Sequence, residues 1–107
     1  MRKLRNFQDM LLEELKDPET AQAYLSVALE EYEQDKDVSA FLMALRDVAE
    51  AQGGLTKLAQ KTHLNRPSLY KALSAKGDPK LKTVENVLHG LGYRLSVIPL
   101  NEHRVGS

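Results

Sequence analysis

The chain has 107 residues, with 15 basic and 15 acidic side chains and no cysteine. This length allows one small domain with a modest core and a short extension. No apolar run approaches the roughly 18 residues that a membrane-spanning helix needs, and no apolar segment follows the basic N-terminus as it would in a signal peptide. The absence of cysteine excludes disulfides and thiolate metal sites. These features predict a cytoplasmic protein without a membrane partner.

The charges are divided unequally along the chain. Residues 1–37 contain five basic and ten acidic side chains, whereas residues 38–107 contain ten basic and five acidic ones. Within residues 57–82, seven basic side chains are opposed only by Asp78. Such a segment favours binding to a polyanion, although a solvated lysine face has the same composition, and charge alone does not decide between the two.

Apolar residues recur at helical spacing along nearly the whole chain. A first helix is predicted over residues 4–15. A second begins at Asp17 and Pro18, since a capping carboxylate followed by proline at the first helical position is a typical helix start. Six apolar residues share its inward face: Ala21, Tyr24, Leu25, Ala28, Leu29 and Tyr32. Three acidic residues lie largely off that face: Glu30, Glu31 and Glu33.

A third helix is predicted from Val38 to the pair Gly53 and Gly54, because two glycines suit a C-terminal cap followed by a tight turn. The periodicity then predicts three further helices, at residues 55–61, 66–75 and 81–91. Alternating apolar and polar residues after the last helix predict a short strand at 93–99. The polar tail, residues 100–107, is predicted to be disordered.

Residues 54–73 have the pattern of a helix-turn-helix. Two short helices that cross closely need a very small side chain at the crossing, which Ala59 supplies, and an apolar residue that pins the turn to the core, which Leu64 supplies. The second helix also has inward apolar residues three and four apart, at Leu69, Ala72 and Leu73. This pattern predicts that the second helix lies in the major groove of DNA.

The outward face of the second helix holds the predicted base contacts. Arg66 can donate two hydrogen bonds to guanine, Lys71 can bind guanine or a phosphate, and the Tyr70 hydroxyl can reach a phosphate. The other predicted DNA contacts cap this helix, lie in its first turn or position the DNA backbone: Asn65, Pro67, Ser68, Lys57, Lys76, Lys80 and Lys82. The alternative for each of these side chains is exposure to solvent without a partner.

Several runs within residues 11–98 are shared with a known family. They include Leu15-Lys16-Asp17-Pro18-Glu19, Ala23-Tyr24-Leu25, Phe41-Leu42-Met43-Ala44-Leu45-Arg46-Asp47-Val48-Ala49, Ser68-Leu69-Tyr70-Lys71-Ala72-Leu73-Ser74 and Gly77-Asp78-Pro79. On these runs the chain resembles the XRE-type helix-turn-helix proteins, and more narrowly the addiction-module antidote proteins, which are the antitoxins of toxin–antitoxin pairs. The resemblance implies an all-α, lambda-repressor-like bundle with an N-terminal helical extension and a short C-terminal strand.

Two residues depart from the pattern of these proteins. His63 occupies the turn position that usually holds glycine for its positive φ, and histidine tolerates that conformation at some cost in stability. Pro67 stands where such proteins often have a polar, base-contacting residue. Because proline cannot donate a hydrogen bond from its side chain, any readout there has to come from van der Waals contact.

The resemblance also implies partners. An antitoxin binds a cognate toxin, here by analogy a small RelE-like ribonuclease, and represses its own operon by binding the operator DNA. A basic toxin would be attracted to the acidic first half of the chain, so toxin contacts are predicted at Tyr24, Glu30, Glu31 and Glu33. Two alternatives stay open: residues 4–35 only pack on the core, or the protein is a stand-alone regulator without a toxin.

Two further predictions complete the sequence-based picture. A twofold dimer is expected, because a single module binds DNA weakly, and the strand at 94–98 is the predicted dimer element. Neither enzyme activity nor a cofactor is expected, because His63, His89 and His103 lack metal-ligand spacing. The predicted division is an acidic N-terminal helical extension, a helix-turn-helix DNA-binding domain and a tail, at 1–37, 38–99 and 100–107.

Overall fold

A computed structural model describes residues 6–100 and forms six helices within them. They are α1 (Phe7–Glu14), α2 (Pro18–Asp35), α3 (Ser39–Ala51), α4 (Leu55–Thr62), α5 (Arg66–Ala72) and α6 (Leu81–Gly90). The all-α prediction is confirmed for these residues. Within the same part of the chain, no helix is both long and apolar enough to cross a membrane.

Local capping explains where two of the helices begin. The Asp17 carboxylate accepts a hydrogen bond from the backbone N–H of Thr20 at 2.9 Å, and Pro18 follows at the first helical position of α2. The Asn65 side chain accepts one from the backbone N–H of Ser68 at 2.8 Å at the start of α5. Both predicted caps are confirmed, because each depends on residues only three positions apart.

One continuous core joins all six helices. Its largest fully buried side chains come from the end of α1, from α3, from the region of α5 and from α6: Leu15, Leu42, Leu45, Val48, Leu69, Leu73 and Val87. The long helix α2 packs along α3 and adds Ala21, Leu25 and Ala28. The division of the chain at residue 37 remains a prediction, and the core extends across it.

A buried polar cluster ties α1 and α2 to α3. The Asp47 side chain is only 8% exposed, and its two carboxylate oxygens accept hydrogen bonds from Gln8 Nε2 at 3.0 Å and from the Tyr24 hydroxyl at 2.9 Å. Burial, together with the hydrogen bond and charge of Asp47, raises the pKa of Tyr24 to about 12. Each carboxylate oxygen thus has a donor, as a buried acid requires.

The predicted C-terminal strand is wrong. Residues 93–99 form no strand, because a strand needs a neighbour to complete its hydrogen bonds and the described chain offers none beside this segment. Tyr93 instead returns to the bundle, where its hydroxyl donates to the backbone carbonyl of Pro18 at 2.9 Å. Beyond it the chain leaves the core, and Val97 is 94% exposed.

The structure differs from the predictions at the end of α5 and along α2. The fifth helix ends at Ala72 rather than at residue 75. Beyond this end, the Ser74 hydroxyl donates to the carbonyl of Lys71 at 2.9 Å and so competes with the backbone hydrogen bonds of a helix. Leu29 and Tyr32, predicted to face inward, are 39% and 36% exposed, because α2 extends beyond the core. The start of the first helix at Leu4 and the tail at 101–107 lie outside the described residues.

Candidate nucleic-acid interface

Helices α4 and α5 are joined by a three-residue turn, residues 63–65. His63 has φ of 63°, so the left-handed conformation predicted for this position is confirmed. The side chain of Thr62, only 5% exposed, secures the turn: its hydroxyl accepts from the N–H of Leu64 at 3.3 Å and donates to the carbonyl of Ala59 at 3.4 Å. The buried Thr62 side chain therefore stabilises the turn, although the first residue of the turn is not glycine.

Helix α6 holds α4 in place through a close approach at Gly90. A Cβ atom at this position would lie 2.7 Å from Leu58 Cδ1 and 2.9 Å from Thr62 Cγ2. Both neighbours are buried side chains of α4. The absence of a side chain at Gly90 thus sets how closely the first helix of the pair packs on the bundle.

The second helix of the pair, α5, has one buried side and one exposed side. Leu69 is fully buried and Leu73, its C-cap, is 1% exposed, which anchors the helix to the core. The remaining side is exposed and brings together five of the predicted DNA contacts: Arg66, Pro67, Ser68, Tyr70 and Lys71. A helix fixed on one side and polar on the other can present these side chains to a partner without unfolding.

Tyr70 is the centre of a cationic cluster on this exposed side. Arg66 Nη2 donates a hydrogen bond to the Tyr70 hydroxyl at 3.0 Å, and Arg66 Cζ lies 5.0 Å from the centroid of the ring. A second guanidinium reaches the same ring from α3, with Arg46 Cζ 6.0 Å from the centroid. Both distances fall within the range of cation–π attraction.

Arg46 is not among the DNA contacts predicted from the sequence. This residue precedes the buried Asp47 on a helix outside the helix-turn-helix, so no spacing rule links it to α5. The signal that was available is that Arg46 is the only basic residue within Ser39–Ala51. A single basic residue on a mostly apolar helix is a reason to ask which neighbour it faces.

The four predicted lysine contacts are exposed and flank α5 in the chain. Lys57 belongs to α4, and its aliphatic stem lies against Gly53. Lys76 lies in the loop after α5, Lys80 is the N-cap residue of α6, and Lys82 is in the first turn of α6. No ion pair with another described residue neutralises any of these lysines, Arg66 or Lys71. The charge of this region is therefore available to an external anion.

The predicted toxin contacts fall into two different environments. Glu30, Glu31 and Glu33 are exposed on the C-terminal half of α2, next to the partly exposed Leu29 and Tyr32. Tyr24, in contrast, is half-buried and donates its hydroxyl hydrogen to Asp47. The structure therefore groups the three glutamates on one exposed segment and places Tyr24 in the packing of α2 on α3.

The described residues also define a shallow recess and contain no cluster suited to a metal. The recess is lined by Gln52, Lys61, His89 and residues 90–92, without a carboxylate. Within residues 6–100, no group of three or more histidine, cysteine, aspartate or glutamate side chains is arranged to hold a metal ion.

Taken together, these elements define a small helical protein with a helix, turn and helix whose second helix has a basic outer side. The family of probable addiction module antidote proteins matches the chain over residues 3–99. The protein belongs to this family, as its resemblance to the antitoxins indicates, and an antidote implies a toxin as partner.

The chain also resembles a curated protein that has no assigned function. The chain is 32% identical over 78 residues to an uncharacterized protein of Haemophilus influenzae (strain ATCC 51907 / DSM 11121 / KW20 / Rd). The matched segment covers 73% of this chain and 79% of that protein. No solved structure matches the chain significantly.

Proposed function

We propose that this protein is a DNA-binding antitoxin that neutralises a RelE-like toxin and represses its own operon. The observation that carries the DNA-binding part is the exposed, unpaired basic side of α5, which is held in place by the buried Leu69. The family supports the antitoxin part. The proposal assigns no catalytic step and no cofactor to the chain.

The DNA-binding part follows from the geometry of α5. Its N-terminal half, which contacts base edges in helix-turn-helix proteins, follows the N-cap residue Asn65 and includes Arg66. Arg66 can bind guanine O6 and N7, while Lys71 and the flanking lysines can bind phosphates and set the register. A phosphate contact fixes position and a base contact gives sequence preference.

A dimer is part of the proposal. Two copies on half-sites about 34 Å apart would bind an operator far more tightly than one copy. The exposed apolar side chains that follow Tyr93 support self-association, since Val97 is 94% and Ile98 63% exposed. Analytical ultracentrifugation tests this: Val97→Asp together with Ile98→Asp is expected to yield a monomer, and an unchanged dimer contradicts this placement.

The toxin-binding part rests on the exposed segment of α2. Glu30, Glu31 and Glu33 give it negative charge, and Leu29 and Tyr32 give it apolar area. A ribonuclease toxin is basic because it binds RNA, so opposite charges would guide the two proteins together and apolar contact would retain them. Exchange of the three glutamates for glutamine is expected to weaken co-purification with the product of the adjacent gene, with DNA binding unchanged.

The experiment for the DNA-binding part uses duplex DNA from upstream of the gene. Arg66→Ala combined with Lys71→Ala is expected to abolish the specific gel retardation that the wild type gives, while circular dichroism and toxin co-purification remain unchanged. The triple glutamine variant of α2 is the matched control, since it alters three charges outside α5. Specific retardation by the Arg66 and Lys71 double variant contradicts the placement of the recognition helix.

A further inference from the structure

Arg46 and Arg66 place two positive charges beside one aromatic ring. Their Cζ atoms lie 6.0 Å and 5.0 Å from the centroid of Tyr70, although the two residues belong to different helices, α3 and α5. Two guanidinium groups of like charge repel each other, and the planar fork of each matches two oxygens of a carboxylate or phosphate. The Tyr70 ring thus has one guanidinium neighbour from each of these two helices.

No carboxylate of the described chain neutralises this pair. The adjacent Asp47 is already occupied, since its two oxygens accept from Gln8 and Tyr24. Glu50, one turn further along α3, is exposed and forms no ion pair with Arg46. Among residues 6–100 the guanidinium of Arg46 therefore has an aromatic ring as its partner and no anion.

We propose that Arg46 is a DNA phosphate contact supplied by α3, beside the recognition helix. This inference rests on the proposed DNA-binding function and extends the interface to a third helix. Arg46 would bind a backbone phosphate with its planar fork, which matches two phosphate oxygens. Tyr70 is a positioning residue in this arrangement: its ring orients Arg46, and its hydroxyl orients Arg66 toward the bases.

The salt dependence of binding distinguishes this role from a structural one. Each phosphate contact contributes about 0.9 to the slope of log affinity against log salt concentration. Arg46→Gln is expected to lower the slope by about this amount, so that its deficit relative to the wild type shrinks about 3.5-fold between 50 and 200 mM salt. Because a phosphate contact reads no sequence, the preference for upstream over unrelated duplex should stay the same.

Two matched variants complete the test, with fluorescence anisotropy on the upstream duplex as the assay. Arg46→Lys keeps the charge and is expected to keep most of the slope. Lys16→Gln removes one charge from an exposed site between α1 and α2 and is expected to leave the slope unchanged. Thermal unfolding of each variant verifies that the fold is intact.

The outcomes separate this inference from the function on which it rests. If the wild type prefers the upstream duplex but Arg46→Gln retains the full slope, the inference fails and the proposed function stands. A loss of slope in Arg46→Lys as large as in Arg46→Gln, or an equal loss in Lys16→Gln, also overturns it. If the wild type shows no preference for the upstream duplex, the proposed function fails and this inference fails with it.

Discussion

The hydrogen bond between Tyr24 and Asp47 allows a quantitative test of how the acidic N-terminal helices are held on the bundle. Asp47 is only 8% exposed and accepts two hydrogen bonds, one of them from the Tyr24 hydroxyl at 2.9 Å. Tyr24→Phe deletes this donor and leaves one carboxylate oxygen without a protein partner. The lost bond to a charged acceptor is expected to cost about 1.5–3 kcal/mol of unfolding free energy.

The measurement is urea and thermal unfolding of the wild type and the variant. In a small domain, each kcal/mol corresponds to about 4–8 °C in Tm, so a clear decrease is expected. Tyr32→Phe is the matched control, because it removes the same atom from an exposed tyrosine of the same helix. Its expected effect is within about 0.5 kcal/mol.

The pH dependence provides a second readout of the buried Tyr24 hydroxyl. The pKa of Tyr24 is raised to about 12 from 10.0, mainly by burial and then by Asp47. Because the phenol loses its proton at a lower pH in the unfolded chain than in the folded one, its contribution to stability is complete below pH 10 and is lost as the pH rises from 10 to 12. The stability advantage of the wild type over Tyr24→Phe should therefore shrink across this range.

Two results would refute this reasoning about Tyr24. One is an equal loss of stability in Tyr24→Phe and Tyr32→Phe, which would mean that the bond to Asp47 contributes nothing specific. The other is a stability difference between the wild type and Tyr24→Phe that stays constant from pH 9 to 12. A loss of toxin co-purification in Tyr24→Phe without any loss of stability would instead support the predicted toxin contact at this residue.

Three further predictions concern the helix-turn-helix. Gly90→Ala is expected to lower the unfolding free energy by about 1–3 kcal/mol, because the new Cβ would lie 2.7 Å from Leu58 Cδ1. An unchanged Tm would contradict the close packing of α6 on α4. His63→Gly is expected to raise stability by about 1 kcal/mol in urea unfolding, since φ is 63° there, and a lower stability would count against strain in the turn. Tyr70→Phe keeps the ring but removes the hydroxyl that orients Arg66. Fluorescence anisotropy should therefore show a smaller preference for the upstream duplex, with the salt dependence unchanged. A preference equal to that of the wild type would contradict this role.

Short-range features of this fold could be predicted from the sequence. The caps at Asp17 and Asn65 and the left-handed turn at His63 each depend on a few neighbouring residues, so residue type and spacing were sufficient. The early end of α5 is also local, but a serine side chain competes only weakly with a helix, and the pattern of apolar residues did not reveal it.

Features that depend on distant parts of the chain could not be predicted in this way. Periodicity identified the inward face of α2 but not how far the core extends along it, so the exposure of Leu29 and Tyr32 was missed. The alternation at 93–99 is typical of a strand, yet a strand needs a neighbour, which residues 6–100 do not supply. Arg46 and Tyr70 are 24 positions apart in sequence and belong to different helices, so no local motif predicts their contact.

An NMR titration of the backbone amides with duplex DNA from upstream of the gene tests the central claim most directly. The proposal predicts that the largest shift changes fall in residues 55–72 and 76–82, with a smaller group around Arg46. The amides of residues 23–35 on α2 should stay unchanged, since the proposal assigns that surface to the toxin. Changes concentrated on α2, or absent from α5, would contradict the proposal that this antidote protein binds DNA through α5, the second helix of the helix-turn-helix.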